Sequence, residues 1–204
     1  MNNKGLTLIE VIATLVVLSI IAVIVTPNIA VSIKDYKKRT LESQLSSVKG
    51  ATKNWVADNI EKVACSSDDD AALMIDIGKL QEDAYLDENM KNPEGGFLDD
   101  TDTFGLVSCK IIEDETNNLA SNYKYTYGAY LSVNDYLEKM AIEYVKDKTN
   151  TDTDVSTATL QNSGYVYNSI KKLDGTSVTI PNVTISVKVV ELSDGKYNYE
   201  TEIK

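Results

Sequence analysis

The 204-residue chain contains no histidine. That absence removes the commonest general base and the commonest metal ligand. Ser–His–Asp, Cys–His and HExxH chemistry are therefore excluded. Cysteine is nearly absent too: Cys65 and Cys109 are too few for a disulfide scaffold, but they allow one bridge if the domain is exported. Positive charge is in short supply, with 20 Lys and Arg against 31 Asp and Glu and a net charge of −11. Bulk acidity argues against a nucleic-acid binder, because phosphate contacts need clustered Lys and Arg. It argues equally against electrostatic adhesion to anionic lipid. With 43% hydrophobic and 25% charged residues, the composition is that of a folded protein rather than a disordered one. No residue set supports catalysis, so the chain reads as a structural or interaction protein and not an enzyme, and no cofactor is expected.

What the chain does have is one long apolar run. Leu6 to Val25 carries a single charge, Glu10. A helix of that length spans roughly 30 Å, about one hydrocarbon core. A secretory signal is shorter, usually with an apolar region of about 7–15 residues and a small-residue cleavage site. A carboxylate in such a run is costly unless paired, which makes Glu10 a functional residue by default.

Lys4-Gly5-Leu6-Thr7-Leu8-Ile9-Glu10, the apolar run and then Pro27 together resemble the N-terminus of the type IV pilin and pseudopilin family. The resemblance implies cleavage by a prepilin peptidase between Gly5 and Leu6, and methylation of the new amine at Leu6. Glu10 becomes the fifth mature residue and takes a role in subunit assembly, by pairing with an N-terminal amine. Pro27 falls at the family's proline position and implies a helix kink. Leu6 departs from the usual Phe, and Ser19 stands where Gly is common. The implied partners are other pilin subunits, the peptidase, the pilus assembly machinery and, before assembly, the membrane in a single pass. The implied destination is an extracellular filament at the cell surface. The positive-inside rule runs the other way: Lys4 precedes the run, whereas Lys34, Lys37, Lys38 and Arg39 follow it.

Past Pro27, Ile29, Ile33, Tyr36, Leu41, Leu45, Val48, Trp55, Ile60 and Val63 recur at helical spacing. The spacing predicts a nearly continuous helix from about Leu6 to Val63, roughly 85 Å long. Val31–Lys62 holds seven Lys or Arg and four Asp or Glu, which leaves −14 for Val63–Lys204: a weakly basic stem and an acidic head.

The head repeats itself. Leu80-Gln81-x-x-x-Tyr85 returns as Leu160-Gln161-x-x-x-Tyr165, and Lys91 and Gly95 return as Lys171 and Gly175. Val107-Ser108-Cys109 aligns with Ile185-Ser186-Val187, and Lys124-Tyr125-Thr126-Tyr127 with Lys196-Tyr197-Asn198-Tyr199. An amphipathic helix precedes each copy, the second over Val133–Lys148. Each copy reads as helix, irregular stretch and β-hairpin, with one buried face per strand. The expected fold is α+β: a long N-terminal helix, its first half membrane-spanning, packed on an antiparallel sheet, with a second, smaller helix-plus-sheet unit. The expected divisions are a leader at 1–5, a transmembrane and filament-core helix at 6–27, a first pilin unit at 28–127 and a second pilin-like unit at 128–204. The doubled head, and the likeness of Leu80–Gly96 to Gram-positive pilin and pseudopilin sequences, imply a minor pilin with a tandem head. A pseudopilin of a secretion or DNA-uptake machine, or a pilus-displayed adhesin, are the alternatives.

Cys109 is either a small core residue or, with Cys65, half of a disulfide clamping the helix end to the sheet. The acidic runs at Asp68–Asp70, Asp99–Asp102 and Asp152–Asp154 read as solvated loops in preference to calcium sites, and no metal is expected. The twelve tyrosines read as cross-strand packing.

Overall fold

The structure is a computed structural model describing residues 7–67, 70–93, 95–98, 102–112 and 122–204, and only the backbone of 22–30. The chain divides into two compact units: Met1–Ser43 with Asn92–Gly96, and Gln44–Lys91 with Phe97–Lys204. One helix, α1 (Leu8–Asp58), supplies residues to both and continues without interruption past Pro27. It is shorter than its spacing predicts. A 3-10 turn, Ile60–Lys62, follows, and Val63 is already extended.

The second unit is an α+β assembly. After α1 come β1 (Ala71–Asp76), α2 (Ile77–Glu82), β2 (Phe104–Ile112), β3 (Asn122–Tyr130) and α3 (Val133–Lys148). Then follow β4 (Thr153–Ser156), α4 (Thr157–Asn162), β5 (Ser169–Lys172), β6 (Thr184–Glu191) and β7 (Tyr197–Ile203). The strands form two sheets, ordered β3-β2-β1-β5 and β4-β6-β7. All neighbours are antiparallel except β1 and β5, which run parallel.

Part of the strand register recurs at an offset of eighty residues. β1 pairs with β2 through Leu73–Val107, Met74–Leu106, Ile75–Gly105 and Asp76–Phe104. Eighty residues on, β4 pairs with β6 through Thr153–Val187, Asp154–Ser186, Val155–Ile185 and Ser156–Thr184. The short helices α2 and α4 sit at the same offset, and so do the bridges Lys91–Phe97 and Lys171–Ser177. In both copies a tyrosine hydroxyl ties the strand–helix unit to the long helix before it. Tyr85 donates to Asp58 at 2.6 Å, and Tyr165 to Asp147 at 2.8 Å.

Three expectations are corrected by this register. Val107 corresponds to Val187, so the counterpart of Cys109 is Val189 and not Val187. Likewise Tyr125 corresponds to Tyr199, each being the cross-strand partner of that position. Both errors are slips of two residues, which leave every side chain on its proper face and so are invisible to an alternation pattern. Third, each copy contains an additional strand and helical turn, β1–α2 or β4–α4, where an irregular stretch was expected.

Nor is β2 buried on one face only: Phe104 to Cys109 are all buried. On one face α1 approaches so closely that a Cβ on Gly105 would lie 1.8 Å from Thr52 Oγ1. On the other, Phe104, Leu106, Ala72 and Met74 join a core with Tyr136, Leu137, Ala141 and Val145 of α3 and with Ile185 and Val187 of β6. The Tyr136 ring meets Tyr130 of β3 edge-on at 4.8 Å. Thus α3 lies between the sheets, and the copies share one core. β5 belongs by sequence to the second copy but completes the sheet of the first. Ser132 caps α3 by accepting the Asp135 N–H, which fixes its start where the sequence predicts it.

Candidate functional site

Thr7 precedes α1 and Glu10 occupies its first turn. The Thr7 N–H and the Thr7 hydroxyl both donate to Glu10 Oε2, each at 2.8 Å. The Glu10 N–H in turn points to Thr7 Oγ1 at 3.4 Å. This is a reciprocal capping box, in which two otherwise orphaned donors at a helix start are satisfied by side chains. The Thr-x-x-Glu spacing announces it, yet a reading of Glu10 as a lone charge overlooks it.

The other polar side chains in the described stretch are satisfied locally. Thr14 donates to the Val11 carbonyl and Ser19 to the Leu15 carbonyl, both at 2.8 Å. Bonds of this kind let a hydroxyl sit on an apolar helix without an outside partner. Glu10 is then the single charged group on a surface that is apolar all round. The large apolar side chains from Leu8 to Ile21 are all exposed, from 40% at Val11 to 78% at Leu8. An apolar surface of this kind on a helix requires a covering.

Among the described residues, no helix is long and apolar enough to cross a membrane. The run Leu6–Val25 extends beyond the described side chains at both ends, so the expected span is not shown. The leader, Gly5 and Leu6 lie outside the described residues, as do Asp68, Asp69 and most of Asp99–Asp102. Pro27 lies within α1.

Cys65 and Cys109 form a disulfide, with Cα atoms 4.5 Å apart. The backbone beside it is already in place. Ser66 donates to the Cys109 carbonyl at 3.0 Å and accepts from the Ile111 N–H at 2.8 Å. The segment leaving the 3-10 turn therefore runs along β2 beyond the end of β1. The acidic pair of the second copy is engaged within its sheet. Asp152 accepts the Val189 N–H at 2.8 Å, and Asp154 accepts from Ser186 and from Lys204. Among the described residues no group of three His, Cys, Asp or Glu could hold a metal ion.

Residues 1–26 match the family described as the prokaryotic N-terminal methylation motif, the signal of type IV pilin-like, prepilin-type proteins. Neither a curated protein nor a solved structure matches the chain.

Proposed function

We propose that this chain is a subunit, a minor pilin, of a type IV pilus. In this reading it enters the membrane as a single-pass precursor through Leu6–Val25. Prepilin peptidase cuts between Gly5 and Leu6 and methylates the Leu6 amine, and the stem then packs laterally into an extracellular filament. The observation that carries the reading is the methylation motif over residues 1–26, whose one charged group on the described apolar helix is Glu10.

The capping box gives that charge a task. Thr7 occupies one oxygen of the Glu10 carboxylate and holds the group at the helix start. The other oxygen takes no hydrogen bond among the described residues, and it suits a Leu6 amine, of its own chain or of a neighbour. Pairing the two ions removes the cost of leaving either alone in apolar surroundings. The exposed apolar stem favours lateral packing because each helix can cover another.

The test is N-terminal peptide and intact-mass analysis of filaments sheared from producing cells. The expected result is a chain in the filament that starts at Leu6 and carries one extra methyl, about 14 Da. A chain cut at Leu6 but retained in the membrane would instead indicate a pseudopilin of a secretion or DNA-uptake machine. A chain that keeps Met1–Gly5 would overturn the proposal.

A further inference from the structure

A cavity of about 550 Å3 opens where the end of α1, the start of β1 and the crossing strand β5 meet. That volume is within the range of pockets that take small organic molecules. Its lining is largely apolar, with Ala64, Ala71, Leu73 and Leu173 at its surface and the buried Trp55 and Val107 behind them. Around it stand Lys62, Lys79, Lys171 and Lys172, and among the described residues lining it none is Asp or Glu. In a chain with net charge −11, this concentration of positive charge runs against the composition.

Two of the four lysines are balanced from outside the cavity. Lys79 pairs with Glu82 at 3.0 Å and Asp83 at 2.9 Å, and Lys172 with Asp76 at 3.2 Å. The other two make no direct ion pair among the described residues, though Lys62 acts on Asp83 from a distance. Lys62 lies over the Trp55 ring, 5.3 Å from its centroid, and donates to the Asn59 side-chain carbonyl. Lys171 stands beside Leu73 in the parallel register of β1 and β5. Among the described residues neither has a carboxylate within ion-pair distance. Two ammonium groups without a direct ion pair among the described residues, beside an apolar lining, match a ligand with an anionic end and an apolar body. A bare inorganic anion would leave the lining wet, and a neutral apolar ligand would leave the ammonium groups unused.

We propose that this cavity is a binding site for a small organic anion, a carboxylate, sulfonate or phosphate carried on an aromatic or aliphatic body. Lys62 and Lys171 hold the charge, and the apolar lining of Val63, Leu73 and Leu173 takes the body. Because Lys171 of β5 comes from the second copy and Leu73 of β1 from the first, an occupant bridges both copies.

Trp55 is the chain's single tryptophan, so it reports occupancy directly. The experiment titrates the full chain, held in nanodiscs of neutral lipid, with 8-anilinonaphthalene-1-sulfonate and follows energy transfer from Trp55. The expected result is saturable transfer at one probe per chain. It weakens by about tenfold or more in the double variant Lys62→Glu, Lys171→Glu, since both charges facing the sulfonate are reversed. The control Lys148→Glu, on α3, stays within about twofold, because screening leaves a distant exposed charge little influence. If the Glu pair lowers the melting temperature, the pair Lys62→Gln, Lys171→Gln decides, and it must weaken transfer in the same direction. Absence of saturable transfer, or transfer that neither pair weakens, would overturn the proposal.

Discussion

Gly105 and Ala84 are positions where one copy of the repeat departs from the other at the level of single atoms. At Gly105, Thr52 occupies the space a side chain would need, whereas the register counterpart, Ile185, carries a full side chain and is wholly buried. Gly105→Ala is expected to destabilise the fold by about 1–3 kcal/mol through overpacking. Combining it with Thr52→Ala should recover most of that loss, since the two groups compete for one space. Denaturant unfolding of the single and double variants checks this; additive losses would show that they do not share the space. At Ala84, φ is 61°, a left-handed conformation that its counterpart Gly164 adopts at 75° without a Cβ penalty. Ala84→Gly is therefore expected to stabilise by up to about 1 kcal/mol, seen as a higher denaturation midpoint, whereas Gly164→Ala should destabilise.

Among the elements, the end of α1 is secured from several sides. Trp55 donates its indole N–H to Asp83 at 2.8 Å, Tyr85 holds Asp58, and the Cys65–Cys109 disulfide fastens the following segment to β2. Removing the bridge by Cys65→Ser with Cys109→Ser is expected to cost about 2–4 kcal/mol, chiefly by freeing the unfolded chain. Melting curves with and without reductant should separate for the native chain and coincide for the variant. The helix was legible from its spacing to within about a turn and a half at its C-terminal end. In contrast β1, with the sequence Ala-Ala-Leu-Met-Ile-Asp, was not legible. A strand covered on both faces shows no alternation, and Ala and Met carry little strand preference. Its identity comes from β2 and β5 on its two sides.

For the molecule as a whole, the interleaving of the copies has consequences for unfolding. α3 lies between the sheets and β5 completes the sheet of the first copy, so the halves should unfold together. Leu80→Ala and Leu160→Ala, both fully buried and one repeat apart, are each expected to cost about 2–5 kcal/mol. Each should move the Trp55 fluorescence transition and the far-UV circular dichroism transition by the same amount. Separate transitions would mean that the copies are independent.

The response to pH should be flat across the neutral range and fall at both ends, for the chain has no histidine. On the acid side, Asp83 is held below the usual carboxylate range by hydrogen bonds from Lys79 and then Trp55, and Asp154 by those from Ser186 and then Lys204. Their contribution is complete above the unfolded value of about 3.9 and is lost as pH falls through the lower folded values. On the alkaline side, burial raises Tyr130 and Tyr136, while hydrogen bonds to Asp58 and Asp147 raise Tyr85 and Tyr165. Their contribution is complete below about 10 and is lost as pH rises through the raised values. Melting temperature against pH should therefore form a plateau between about 5 and 9, and a slope within it would contradict this account.

By itself the sequence determined the features that depend on chemistry along the chain. These are the methylation motif over residues 1–26, the apolar run, the extent of α3, and a recurring pattern in the head. Each is carried by neighbouring residues or by a fixed spacing, and needs no partner from elsewhere. The tertiary structure alone decided the register of the repeat, because a slip of two residues preserves every face and only cross-strand hydrogen bonding distinguishes it. It also decided that β5 leaves its own copy, that α3 serves two sheets, and that four lysines from separated segments surround one apolar cavity. Those arrangements are contacts between residues far apart in the chain, and no local preference encodes which distant partner a face will meet.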